Sequence, residues 1–138
     1  MSWQIDEVEG VILLIGQGRL IDAEMLEAIA GLRNSDRLKP GMPTLSDMTR
    51  VDEMAITPTG LAVMLQTMHG TDGKRGNARA AIVVRPGDAV AHVFADMLAD
   101  LADLNRARPA FQVFEELGEA RAWLGLKAGR RKIGPAGR

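Results

Sequence analysis

No cysteine occurs in the 138 residues. That excludes disulfide frameworks, thiol nucleophiles and zinc-cysteine sites together, and leans toward a reducing, cytoplasmic setting. Neither sign of charge is in excess: 17 Lys and Arg stand against 18 Asp and Glu, with a net charge of −1 and a sequence pI near 6.1. No bulk attraction to nucleic acid follows from that balance. Long hydrophobic runs are missing too. The longest, among them Val11 to Ile15, are five residues and fall far short of the roughly 20 a membrane span requires, so no stable membrane insertion is expected. The opening residues, MSWQIDEVEG, carry neither a basic segment nor an apolar core of the kind a secretory signal has.

A chain of 14.9 kDa suits one domain and can bury roughly two thirds of the surface its unfolded form exposes. Trp3, Ile5 and Val8 alternate with polar neighbours as in a half-buried strand, Glu9-Gly10 is a turn signal, and VILLIG follows as a second strand, giving an antiparallel hairpin. Leu20 to about Leu32 sets Ile21, Met25, Ala28, Ile29 and Leu32 on one helical stripe, with Asp22 available as N-cap. After the loop SDRLKPGMP comes a short strand, TLSDM. Thr57-Pro58 then opens a helix with stripe Leu61, Met64, Leu65 and Met68; Thr caps, and Pro loses nothing at the first helical position. HGTDGKRGN is a glycine-rich break before the strand ARAAIVV. Pro86-Gly87-Asp88 starts the longest helix, which places Val90, Phe94, Met97, Leu98 and Leu101 on one side and Asp96, Asp100 and Asp103 on the other. Pro109 interrupts, FQVF is a last strand, and EELGEARAWL a last short helix.

The resulting order, β-β-α-β-α-β-α-β-α, predicts an α/β fold of four βα units, with a mostly parallel sheet and an antiparallel edge strand at the N-terminus. Residues 1–126 form the domain. Residues 127–138, KAGRRKIGPAGR, lack apolar periodicity and read as a basic, mobile tail. With no interleaved aromatics, the tail's five basic residues suit solubility better than binding to phosphate or lipid.

Most motif candidates fail on geometry. GQGRLI holds Ile21 where a dinucleotide fingerprint needs its third glycine, and it reads as a plain turn. GTDGKR has the wrong spacing for a P-loop, and Arg75 stands where Ser or Thr would hold magnesium. Asp88, His92 and Asp96 recur every fourth residue, but on the solvated side of their helix; they read as surface, and no metal or cofactor is expected. His69 reads as a C-terminal helix residue. Ser2, Ser35 and Ser46 sit in no nucleophile elbow, and Ser46 and Asp47, adjacent on a strand, face opposite sides of the sheet. The eight methionines read mainly as core filler.

Ligands of open α/β sheets gather outside the carboxyl ends of the parallel strands. The strand exits carry Gly16–Arg19, Asp47–Arg50, Arg85–Asp88 and Glu115, and the helix starting at Thr57 opens to the same rim. Asp47, Arg50, Thr57, Arg19 and Arg85 are therefore the candidate binding residues, expected to converge at one mouth.

The segments GVILLIGQGRLIDAEMLEAIAGL, PTLSDMTRVDEMAITPTGL, AAIVVRPGDAVAHVFADM and FQVFEELGEARAWL, within residues 3–126, resemble in order and character the SpoIIAA-like family, related to the STAS domains of sulfate transporters and anti-sigma-factor antagonists. The resemblance implies a superhelix of βα units and a non-enzymatic binding or regulatory role. In the antagonists a phosphorylatable serine follows the strand that carries this Asp; here the region reads MAITPTG, and Thr57 is the nearest hydroxyl. Thr57 is thus the regulatory phosphorylation candidate, where a helix N-terminus tolerates charge.

The leading expectation is a non-catalytic module that binds a protein partner or small ligand. The alternative is an apolar-ligand or lipid carrier, as in a lipid-exchange branch with the same core, with Met64, Met68, Met97 and Phe94 around the cavity. Acid–base chemistry at Asp47 ranks third. Outward Val63 and neighbouring Ala62 leave room for a homodimer.

Overall fold

A computed structural model describes residues 1–39, 41–69, 79–104 and 110–126. The basic tail, Pro109 and nearly all of the glycine-rich break lie outside the described residues, as do the side chains of Leu65, Met68, His69, Val90, Leu101 and Asp103.

Strand β1 (Ser2–Asp6) pairs antiparallel with β2 (Val11–Ile21), in a register that sets Ser2 opposite Ile15 and Asp6 opposite Val11. Asp6 builds the turn between them. Its Oδ1 accepts from the amides of Val8 and Glu9 at 3.0 and 3.1 Å, and its carbonyl accepts from Gly10 N at 2.8 Å. Gly10 has φ 69°, where a side chain is strained. Val8, expected on the strand's buried face, instead stands in this turn and is 97% exposed.

Strand β2 does not stop at Gly16. It runs on to Ile21 beside β3 (Thr44–Ala55), which likewise passes the expected end at Met48. Their parallel register slips twice, between Ile15 and Gln17 and between Gly18 and Arg19, each time with an extra residue on β3. Gly16 is needed for close approach: a Cβ there would lie 2.8 Å from Met48 Sδ and 2.9 Å from Val51 Cγ2. Gly18 is needed for its φ of 66°. GQG is therefore a bulged strand segment, and the turn read there is corrected.

Helix α1 (Asp22–Arg33) buries Met25, Ala28, Ile29 and Leu32, four of the five residues of the expected stripe; the fifth, Ile21, is half-buried at the end of β2 and is the N-cap, and Asp22 is already inside the first turn. Helix α2 (Pro58–His69) begins as expected, with Gly60 N donating to Thr57 Oγ1 at 3.0 Å. Strand β4 (Arg79–Val83), helix α3 (Ala89–Leu104), strand β5 (Ala110–Phe114) and helix α4 (Leu117–Trp123) complete the elements among the described residues. Helix α3 buries Ala91, Phe94, Ala95 and Leu98; Met97, placed on its stripe by periodicity, is 36% exposed.

The five strands lie in chain order, β1-β2-β3-β4-β5, with every pair after the hairpin parallel. The three crossover helices α1–α3 pack on one face against Leu14, Met48, Ile82 and Val84. The other face carries Val11, Leu45, Ala81 and Val83 under Ala120 of α4. Helix α4 is held there by Arg79, which stacks 5.1 Å from the Trp123 ring and donates to the Trp123 carbonyl, and by an Arg121–Glu9 ion pair.

Candidate functional site

The pairing of β3 with β4 ends at Asp47 opposite Val83, while β2 and β3 continue to Ile21 and Ala55. Among the described residues, the overhang leaves the β4-side edge of β3 without a strand from Met48 onward. Arg85, just past β4, fills the start of that gap: its Nη2 donates to the Val51 carbonyl at 2.9 Å and to Asp88 Oδ2 at 3.2 Å. Beyond it an open groove of about 430 Å³ runs between Val51–Met54 on one wall and Arg85–Ala91 on the other.

The second wall is fixed from three directions. Asp88 caps α3, its Oδ1 accepting from Ala91 N at 3.1 Å. Gly87, at φ 78°, turns its amide to Glu115 Oε2 at 3.1 Å. The same carboxylate oxygen lies 2.9 Å from His92 Nε2; since a carboxylate only accepts, that ring nitrogen carries the hydrogen. The bond from His92, and after it the Gly87 amide, holds the Glu115 carboxyl below its ordinary value. His92 thus pins a loop, where the sequence suggested plain surface, and Asp88 faces Arg85 and Ala91.

Of the five candidates, only Arg85 lines the groove. Arg19 adjoins it through an exposed ion pair with Glu53 at 3.1 Å, on the two-stranded overhang. Arg50 is exposed opposite Gln17 and its side chain, among the described residues, has no hydrogen bond or ion pair. Asp47 lies elsewhere. It shares a cross-sheet row with Ile15, Val83 and Phe114 on the α4 face, and its Oδ1 accepts from Thr49 N at 2.9 Å and Thr49 Oγ1 at 2.6 Å. Thr57 sits at the start of α2, outside the groove lining. The single mouth expected from the sequence is corrected: β3 does not end at Asp47, so that residue never reaches a rim.

Asp22 is the residue whose part the sequence concealed. Its carboxylate accepts from Thr57 N at 2.9 Å and Thr57 Oγ1 at 2.5 Å, and these bonds, the hydroxyl's first, lower its pKa. The Thr57 hydroxyl therefore donates to Asp22 while accepting from Gly60. A phosphoryl group there would face the Asp22 carboxylate, so the attraction of the helix N-terminus is opposed at close range. Gly60 admits this clamp, because a Cβ would stand 2.3 Å from the Asp22 carboxylate carbon.

Between the sheet and α1–α3 lies an apolar cavity of about 60 Å³, bounded by Leu14, Met25, Ile29, Met48, Met64 and Phe94, with Ser46 on its floor. Two of the expected pocket residues, Met64 and Phe94, are there; Met97 is not. The space is well below the roughly 300–1,000 Å³ of drug-sized ligand sites, so a whole lipid has no room.

No family model and no curated protein matches this chain. Among solved structures it is similar to an uncharacterized protein of the DUF3478 family from Shewanella loihica PV-4, described as having a SpoIIAA-like fold, at 19% identity over 89% of this chain and 90% of that one, with a TM-score of 0.50. The hairpin-first, singly wound sheet seen here, with its three crossover helices on one face, is a SpoIIAA-like fold.

Proposed function

We propose that this chain is a non-catalytic binding module whose partner enters the groove between Val51–Met54 and Arg85–Ala91. The observation that carries the reading is the overhanging edge of β3, held open by Arg85 and by the Glu115-anchored loop. Such an edge offers backbone donors and acceptors in register, the feature by which extended segments add to a sheet. Catalysis has less support: Asp47 is occupied by two Thr49 donors, and Ser46 is buried on the other side of the sheet. A cytoplasmic setting belongs to the same reading, supported by the absence of cysteine; among the described residues no helix is long and apolar enough to cross a membrane. The test is capture of the partner from the native host followed by crosslinking mass spectrometry. Crosslinks should map to the two groove walls and vanish in a folded Glu53→Arg variant, while Asp47→Ala retains them. Capture and crosslinks unchanged by Glu53→Arg would remove the groove from the reading.

The second reading, an apolar-ligand carrier, is favoured by the methionine-walled cavity, at a size that admits only a small molecule. Co-purified small apolar compounds in native mass spectrometry would support it. A protein that never carries them and has no affinity for any would remove it.

A further inference from the structure

Ser46 is 8% exposed and stands on the helix-covered face of β3, in a cross-sheet row with Leu14, Ile82 and Val113. It lies on the wall of the apolar cavity. Among the described residues its hydroxyl has no hydrogen-bond partner, whereas Thr44, the other buried polar side chain on that wall, has an interaction of its own. Buried hydroxyls in folded proteins are as a rule paired, because apolar surroundings return nothing for the water they displace. An unpaired one facing a cavity in the middle of a core is a position where the partner comes from outside the chain.

We infer that the cavity is a binding site for a small neutral aliphatic molecule with one hydroxyl or carbonyl group, whose polar atom bonds to Ser46 Oγ. This rests on the apolar-ligand reading and gives it a chemical class. Size follows from the volume: a single water occupies roughly 10–15 Å³ by the same measure, so about 60 Å³ admits a molecule of only a few heavy atoms. Neutrality follows from the walls. Two described lining residues carry charge: Arg33, exposed at the end of α1, and Met1, whose N-terminal ammonium is already paired with Glu24 at 2.8 Å. An ionised group beside Ser46 would be desolvated between Leu14 and Ile82 with no counter-charge. Adaptability comes from Met25, Met48 and Met64, whose unbranched thioethers yield around a guest where branched side chains would not.

The experiment follows the methyl signals of methionine-labelled full-length protein during titration with 1-butanol and with n-pentane, which exchange a hydroxyl for a methyl at nearly constant shape. Both should shift the Met48 and Met64 methyls saturably. Ser46→Ala should weaken 1-butanol by roughly 3- to 10-fold, as loss of one hydrogen bond requires, and leave n-pentane within about twofold. Ser46→Val, which suits a strand and fills the space, should abolish both. If Ser46→Ala alters the two molecules alike, the hydroxyl is no anchor and the inference fails while the apolar-ligand reading stands. If neither molecule moves these methyls in the parent protein, inference and reading fall together.

Discussion

Gly16→Ala puts the bulged crossing of β2 and β3 to a quantitative test. The added Cβ would lie 2.8 Å from Met48 Sδ and 2.9 Å from Val51 Cγ2, against about 3.5–4.0 Å for an ordinary carbon contact. Met48 and Val51 are both about 5% exposed and belong to the main core, so neither can turn out into solvent. The thioether yields; the β-branched valine, stiff about its first torsion, must carry the strand with it. Overpacking of this kind costs about 1–3 kcal/mol, while alanine recovers up to about 1 kcal/mol by restricting the unfolded chain. A net loss of about 1–2 kcal/mol follows, which for a domain of this size lowers the melting temperature by roughly 3–8 °C. Urea unfolding followed by tryptophan fluorescence, with an unchanged dependence on urea, measures it. The Val51→Ala change should recover part of the loss in a double-mutant cycle, because it removes the nearer rigid neighbour. A Gly16→Ala protein as stable as the parent would mean that the two strands do not approach as described, and the overhang that frames the groove would lose its basis.

Gly18→Ala should destabilise for a different reason, strain at a φ of 66°, and Val51→Ala should not relieve it. Asp22→Asn should speed hydrogen exchange at the Gly60 amide, because the Thr57 hydroxyl that caps it loses its carboxylate partner. Since Asp22 has its pKa lowered in the folded state, its contribution is present above the ordinary aspartate value of about 4 and is lost as pH falls through the folded value. The stability gap between parent and Asp22→Asn should therefore be full at neutral pH and close in acid; a gap constant through the acid range would contradict the clamp. Glu115→Gln should likewise raise exchange at Gly87 N and weaken any partner that occupies the groove. Ser46→Ala, by removing an unpaired buried hydroxyl, should leave the unliganded protein as stable as the parent or about 1 kcal/mol more stable by urea midpoint.

What could be read along the chain was whatever respected a single period. Most of the stripe of α1, Phe94 and Leu98 of α3, the Thr57-Pro58 helix start and the order of strands and helices all follow from local patterns, and the structure has them. The failures cluster where the period changes inside an element. Strand β3 carries an extra residue at each of two register shifts, so Met48 and Val51, three apart, face the same core. Read at period two, that spacing looks like the end of a strand, and the glycines opposite it look like a turn. Every error at the rim descends from this: Asp47 was placed at an exit that lies eight residues further on, at Ala55, and Arg19 in a loop when it is paired along a strand.

The site depended on contacts between distant residues, which no local pattern encodes. Asp22 carries the ordinary signal of a cap for its own helix, yet its oxygens reach Thr57, 35 positions away. Glu115 was noticed as a strand exit, but its hold on Gly87 and His92 depends on β5 lying beside β4. Of the five candidates, Arg85 alone lies on the groove, because its place just after the central strand is fixed by topology. Its task was still not legible: a guanidinium meeting the Val51 carbonyl takes the position that a neighbouring strand's amide would occupy. On the proposed binding reading, that contact would leave the strand edge open to a partner without inviting uncontrolled pairing. On that reading the first rung of the ladder is blocked by a charge, and a docking segment would continue the sheet beyond it, between Asp52 and Gly87.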